Sequence, residues 1–303
     1  MRWLITGASG QLGAYLLREL RHRGERDVLG WTHHTTGELF GFPLEPVPLE
    51  DPDRLIAAWQ QFQPEIVVHA AALSRVEECY GDPRRAFRVN VVATGQLAQC
   101  AMEHQSRFLY VSTDLVFDGT EGDYYEGDDP RPLSVYGSTK LAGETCAEQC
   151  PNAVIVRLSL LFGPGLGRQP TFFDRQVQSL RAGKRLTLFD DEYRTPLYLE
   201  TAAAALVEIA RSDVTGVWHV AGMERLSRYE MGLRLAMQLG ADLRLLEASS
   251  SEGRFSEPRP RDVSLDITQF LSRFSDFKIP DYSESIERAL NLMSDLPGHG
   301  AIS

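Results

Sequence analysis

Residues 2–13 read RWLITGASGQLG: a short apolar run, three glycines spaced G-x-x-G-x-x-G, and the start of an amphipathic helix. The three glycines serve separate needs. One makes the sharp turn, one lets backbone approach a diphosphate, and one lets the helix pack close to a sheet. The helix that follows offers unpaired N–H groups and the positive end of its dipole to phosphate. Glycine spacing alone is weak evidence, and its place between a strand and a helix is what gives it meaning. Gly7, Gly10, Gln11, Leu12 and Gly13 are therefore expected to cradle a dinucleotide.

Outward from this stretch the chain alternates β-type runs with helical ones. The helix from Gln11 repeats Leu12, Leu16 and Leu20 at spacing four. Strands are expected at VLGWT (28–32), PVPL (46–49), EIVVHAAA (65–72), RFLYVST (107–113) and AVIVRLSLLFG (153–163). Helices are expected through LIAAWQQF (55–62), near Ala86–Glu103, and after Ser134. Near-continuous apolar strands alternating with helices indicate a parallel sheet covered on both faces. The expected fold class is thus α/β, a doubly wound, Rossmann-type parallel sheet with a smaller mixed α/β C-terminal part.

We expect a dinucleotide-binding domain over 1–163 with later segments returning to it, a mostly substrate-binding part over 164–295, and a flexible tail at 296–303. Further helices are expected at Thr201–Arg211, at Ser227–Leu239 with Ser227 and Glu230 as a capping box, and at Tyr282–Met293. The polar stretch between Ala248 and Asp262 reads as a loop.

Composition bounds the partners. The 303 residues are 43% hydrophobic and carry a formal charge of −11, which disfavours nucleic acid. Any phosphate-bearing ligand must then be held by local arginines and backbone amides. No apolar run approaches the ~18–20 residues of a membrane span, and no signal peptide is evident. The four cysteines match no zinc or disulfide framework, and no metal site is expected. These features read as cytoplasmic. The subunit count is left open, a homodimer included.

An acidic residue ending the second strand would bind the adenosine ribose and repel a 2′-phosphate. Here that strand runs into His33 and His34, so NADPH is the expected cofactor and NADH the alternative. In the wider superfamily that the glycine spacing resembles, an aspartate after the third strand often contacts adenine. The matching place here ends in Leu49, which implies an apolar or backbone contact. Ala70, Ala71 and Ala72 are small enough for the dinucleotide to lie against backbone. His69 reads as a packed strand residue.

Ligands bind at the carboxyl ends of strands in such a sheet, which puts Thr113 where chemistry would occur. Tyr136 and Lys140 are four apart on the next helix and share a face. In a carbonyl reduction the oxygen gains negative charge and needs a proton. Tyr136 would supply it, with Lys140 favouring the phenolate and binding the nicotinamide ribose, and Thr113 would hold the oxygen.

The glycine spacing resembles the extended short-chain dehydrogenase/reductases. STDLVFDG (112–119), VYGSTKLAGE (135–144), YRTPLYLE (193–200), WHVAGMERLSRYE (218–230) and RPRDVSLD (259–266) together resemble the dTDP-4-dehydrorhamnose reductase family, from Met1 to about residue 290. The resemblance implies NADPH-dependent reduction at C4 of a nucleotide-diphospho-4-keto-6-deoxysugar. In dehydratase relatives a glutamate follows Thr-Asp, whereas here Thr113-Asp114 precedes Leu115, which transfers no proton. Rhamnose-forming members carry tryptophan where Leu160 stands, so Leu160 leaves the sugar open. The same departure occurs in the regulatory β subunit of methionine adenosyltransferase, so a cofactor-bound regulatory subunit is an alternative, as is a reductase or epimerase on another carbonyl. Asp114, Leu160, Arg194, Arg259 and Arg261 are the candidate substrate residues, the arginines because guanidinium binds phosphate bidentately. Phe172 and Phe173 are candidates for the nucleotide wall or for core.

Overall fold

Residues 1–166 and 170–296 of a computed structural model are described. The expected tail lies, from residue 297 on, outside them. The elements run β1 (Trp3–Thr6), α1 (Gln11–His22), β2 (Val28–Thr32), β3 (Gly37–Leu39), β4 (Phe42–Pro46), α2 (Pro52–Phe62), β5 (Ile66–His69), α3 (Val76–Gly81), α4 (Pro83–Phe87) and α5 (Ala93–Glu103), with a π turn at Arg88–Val92 before α5. Then come β6 (Arg107–Thr113), α6 (Val135–Ala147), β7 (Ala153–Leu158), β8 (Leu161–Phe162), α7 (Phe172–Arg181), β9 (Leu186–Phe189), β10 (Tyr193–Arg194), β11 (Leu197–Tyr198) and α8 (Leu199–Arg211). The chain continues through β12 (Gly216–Val220), β13 (Leu226–Ser227), α9 (Arg228–Leu239), β14 (Leu246–Ser249), α10 (Thr268–Arg273) and α11 (Tyr282–Asp295).

The main sheet has eight strands in the order β12-β7-β6-β5-β1-β2-β4-β3. Every pairing from β12 to β4 is parallel, and only β3 runs antiparallel at the edge. All residues of β1, β2, β5 and β7 are buried, as a sheet covered on both faces requires. Trp3 and Ile5 enter one core layer with α1 and α8, and Leu4 enters the other with Trp59 and Leu97. Each large apolar side chain so buried contributes about 1.5–3 kcal/mol. Strand β12 joins this sheet from far along the chain, pairing with β7.

Local chemistry sets the helix ends. Asp51 caps α2 by accepting from Arg54 N at 3.2 Å, and Pro52 fills the first helical position. Ser227 and Glu230 form the expected capping box of α9, at 2.7 and 3.1 Å. Among the described residues no helix is long and apolar enough to cross a membrane. The four cysteines form no disulfide.

Two expected strands are corrected, and one hairpin was not foreseen. The third parallel strand is Phe42–Pro46 rather than 46–49: its register with β2 covers Gly30–Thr32, Val47 N still donates to Thr32 O at 2.9 Å, and Pro48 has no N–H to carry pairing further. A hairpin precedes it, closed by Phe40 and Gly41, both at positive φ (53° and 77°). A phenylalanine in that conformation hid the turn. The run 153–163 is also broken: Ser159 and Leu160 leave the main ladder, and β8 pairs instead with β11.

Candidate active site

A cavity of about 840 Å³ opens along the carboxyl ends of the parallel strands. Its floor is the turn after β1. Gly7 has φ +70°, and a Cβ there would lie 2.9 Å from the Ala71 backbone. A Cβ on Gly13 would lie 2.2 Å from the Gly7 carbonyl oxygen, so α1 can approach the turn only with glycine there. Gly10 is the N-cap of α1 and supplies no side-chain acceptor, which leaves first-turn N–H groups free to meet an anion. Gln11 and Leu12 also line the cavity.

The turn is fixed from beneath. Thr6 Oγ1 accepts from Ala71 N at 3.1 Å and contacts His69 Nδ1 at 2.7 Å. His69 is fully buried, contacts Thr94 through its other nitrogen at 3.0 Å, and is held neutral by burial, its pKa lowered to about 3. It is the packed strand residue its sequence context implied. Ala70, Ala71 and Ala72 line the cavity beside it, and Leu49 and His33 line the far end. His34 does not line it; its ring lies tilted against His33, with centroids 3.6 Å apart and planes inclined by 49°.

At the near end, β6 delivers Thr113 and α6 delivers Tyr136 and Lys140 to the same cavity. Ser134 starts α6 by accepting from Gly137 N at 3.1 Å. Lys140 Nζ donates to Val111 O at 2.7 Å and lies 4.0 Å above the Tyr110 ring. Burial lowers its pKa to about 7, against the raising influence of Glu144. Burial raises the Tyr136 pKa, and the nearby Thr113 hydroxyl opposes that only in part. Desolvation thus outweighs the other influences on Tyr136 and favours the protonated phenol.

Asp114 is buried between groups that can neutralise it. Thr113 Oγ1 donates to it at 3.1 Å, Ser159 Oγ donates at 3.2 Å, and Arg194 Nε lies 3.9 Å away. Burial raises its pKa and these partners lower it, the former being larger. Asp114, Leu115 and Leu160 line both the large cavity and a smaller one of about 80 Å³.

The smaller cavity gathers Arg194, Arg228 and Arg259. Arg194 is committed to main-chain oxygens, donating to Tyr193 O at 2.6 Å and to Pro260 O at 3.3 Å, so it fastens the 260–261 segment. Arg259 pairs with Glu77 and stacks 3.7 Å over the Phe255 ring, while its Nε has no partner among the described residues. Arg261 is not brought to either cavity; its side chain is exposed, and it serves through its carbonyl, which accepts from Tyr193 N. Phe172 lines the large cavity, and Phe173 is core.

Sequence reading missed four residues here. Arg228, one position after the recognised cap Ser227, has its pKa lowered to about 10 by burial and by Arg194. Asn90, in the π turn, donates to Leu73 O and Thr139 Oγ1 and accepts from Leu73 N at 2.8 Å, tying the 70–73 segment to α6. Glu144 and Arg157 form a buried pair at 2.8 Å beneath the Lys140 helix. Only the apolar company of Arg157 in β7 could have signalled that last pair.

The chain is 34% identical over 270 residues to "Probable low-salt glycan biosynthesis reductase Agl14" of Haloferax volcanii, a match covering 87% of this chain and 89% of that one. It is 29% identical over 280 residues to "Methionine adenosyltransferase 2 subunit beta" of Mus musculus, covering 88% and 81%. A solved structure described as a hypothetical dTDP-4-dehydrorhamnose reductase from Sulfolobus tokodaii is similar with a TM-score of 0.82 at 32% identity, covering 93% of this chain and 98% of that one. Residues 1–294 match the family model described as RmlD substrate binding domain, and the chain belongs to that family.

Proposed function

We propose that this protein is an NADPH-dependent reductase of the C4 keto group of a nucleotide-diphospho-4-keto-6-deoxysugar. The observation that carries this is the convergence of Thr113, Tyr136 and Lys140 with a glycine cradle in one cavity, which shares Asp114, Leu115 and Leu160 with an arginine-lined annex. The cradle fits a dinucleotide: Gly7 and Gly13 leave no space for a Cβ, and the first turn of α1 has no side-chain cap. Gly7, Gly10, Gln11, Leu12 and Gly13 would hold the diphosphate, Ala70–Ala72 the near face, and Lys140 the nicotinamide ribose. When bound, the reduced nicotinamide supplies hydride to the carbonyl carbon.

The chain's own residues supply the rest. Thr113 positions the carbonyl oxygen, and Tyr136, protonated because it is buried, donates the proton that turns the oxygen into a hydroxyl. Leu115 offers no acid or base beside Asp114, which supports simple reduction over dehydration. Residues 164–295 would mostly supply substrate contacts, with Arg228 and Arg259 facing the diphosphate. The named reductases among the relatives support this reading, and the unpaired thiols agree with a cytoplasmic location.

A second reading, a cofactor-bound regulatory subunit, is favoured by the match to methionine adenosyltransferase 2 subunit beta. The deciding experiment follows NADPH oxidation with a panel of nucleotide-diphospho-4-keto-6-deoxysugars. Turnover of one or more supports the reductase. Tight NADPH binding without turnover of any would overturn it in favour of the subunit.

A further inference from the structure

Beside His33 in the cavity, two signals of opposite sign meet. The carboxyl end of β2 is where a doubly wound sheet receives the adenosine ribose, with a carboxylate selecting a free 2′-hydroxyl and an arginine accommodating a 2′-phosphate. Neither stands on β2 itself. Glu50, following β4, and Arg85, in α4, both line the cavity there, beside His33. Glu50 is shared: Arg85 Nε lies 3.4 Å from one of its oxygens and Arg88 Nη2 lies 3.3 Å from the other. The His33 pKa is lowered by burial first, then by His34 and Arg85, with Glu50 opposing. Two guanidiniums therefore face the Glu50 carboxylate, while Asp82 accepts from the Arg85 backbone N–H as the cap of α4.

We infer that Arg85 is the residue that selects NADPH, by pairing with the 2′-phosphate, and that Glu50 is the counterweight that limits this selectivity. The inference rests on the dinucleotide reading proposed above and goes beyond it in naming what discriminates the two cofactors. A phosphomonoester carries about −1.5 to −2 charges near neutrality, so it outcompetes the single charge of Glu50 for a guanidinium that is 40% exposed. Planar guanidinium suits that geometry. Without Arg85, Glu50 would keep Arg88 as partner and present its remaining oxygen to a ribose diol, so one substitution should reverse the preference.

The test uses the full chain and two nucleotides that lack nicotinamide, so activity is not the readout. Affinities for adenosine 2′,5′-bisphosphate and 5′-AMP are compared by calorimetry, and for NADPH and NADH by tryptophan fluorescence, Trp31 lining the cavity. Wild type should prefer the bisphosphate by about tenfold or more, as a charge-assisted contact implies. Arg85→Ala should abolish that preference and Arg85→Lys retain part of it. Glu50→Gln should raise it by about threefold or more, having removed a like charge. Arg85→Ala with an undiminished preference overturns the inference, as does a wild type that binds 5′-AMP equally well. In both of those cases the dinucleotide reading stands. A wild type that binds none of the four ligands overturns that reading as well.

Discussion

The Lys140 ammonium donates to the Val111 carbonyl oxygen at 2.7 Å, so the strand that ends in Thr113 also fixes the charged group of the neighbouring helix. Burial brings its pKa to about 7 in the folded chain, whereas an unfolded lysine titrates near ~10.4. Between these values the unfolded chain binds more protons, so this group makes stability rise with pH across that window and fall as pH drops toward 7. Lys140→Met, close in shape but uncharged, should remove the slope. Urea midpoints at pH 7 and 9 check this: the wild type should gain up to ~2 kcal/mol more than the variant. Equal gains would show that Lys140 is not buried as described.

Tyr136 lies on the same face of α6 and is held protonated by burial. Tyr136→Phe keeps the ring and removes the proton donor. Its kcat should fall by about a hundredfold to ten-thousandfold, while NADPH affinity, resting mainly on the glycine cradle, persists. Steady-state kinetics with a fluorescence titration separates the two quantities. Near-normal kcat would mean that the proton comes from another group.

The parts of this site legible in sequence are those whose function is local. The glycine turn, the Ser227–Glu230 cap and the one-face pairing of Tyr136 with Lys140 each depend on spacing within a few residues. Long-range partnerships left no such trace. Glu144 reads as an ordinary helix glutamate until the fold sets Arg157 and Ser112 against it. Arg228 reads as a surface arginine until Arg194 and Arg259 converge beside it. Arg261 failed in the opposite way, its motif being real while its side chain points outward. The edge hairpin was hidden because Phe40 occupies a backbone region usually left to glycine.

Arg228 is the annex arginine least committed to protein partners, its nearest acid being Glu192 at 3.7 Å. If it meets the substrate diphosphate in ground and transition states alike, Arg228→Ala should raise KM by about tenfold or more and change kcat little. Arg228→Lys should recover part of the loss, being charged but unable to form a fork. A fall in kcat at constant KM would instead place Arg228 in the chemical step.

Beneath α6, Glu144 accepts from Arg157 Nε at 3.0 Å and Nη2 at 2.8 Å, and from Ser112 Oγ. Both members of the pair are buried, with side-chain exposures of 3% and 5%. The Arg157 guanidinium also lies 5.1 Å over the Phe117 ring, and its Nη1 has no partner among the described residues. Such a pair gains little over apolar packing because both ions were taken out of water, yet losing one member strands the other charge. Glu144→Leu should therefore cost about 3–5 kcal/mol. Adding Arg157→Met removes the stranded charge and should recover more than half of the loss, leaving mainly the ~1 kcal/mol of an unpaired Ser112 hydroxyl. Urea unfolding of the two variants beside wild type measures this. If the double variant is as unstable as the single one, the pair stabilises the fold by its own attraction, and its burial is not the dominant cost.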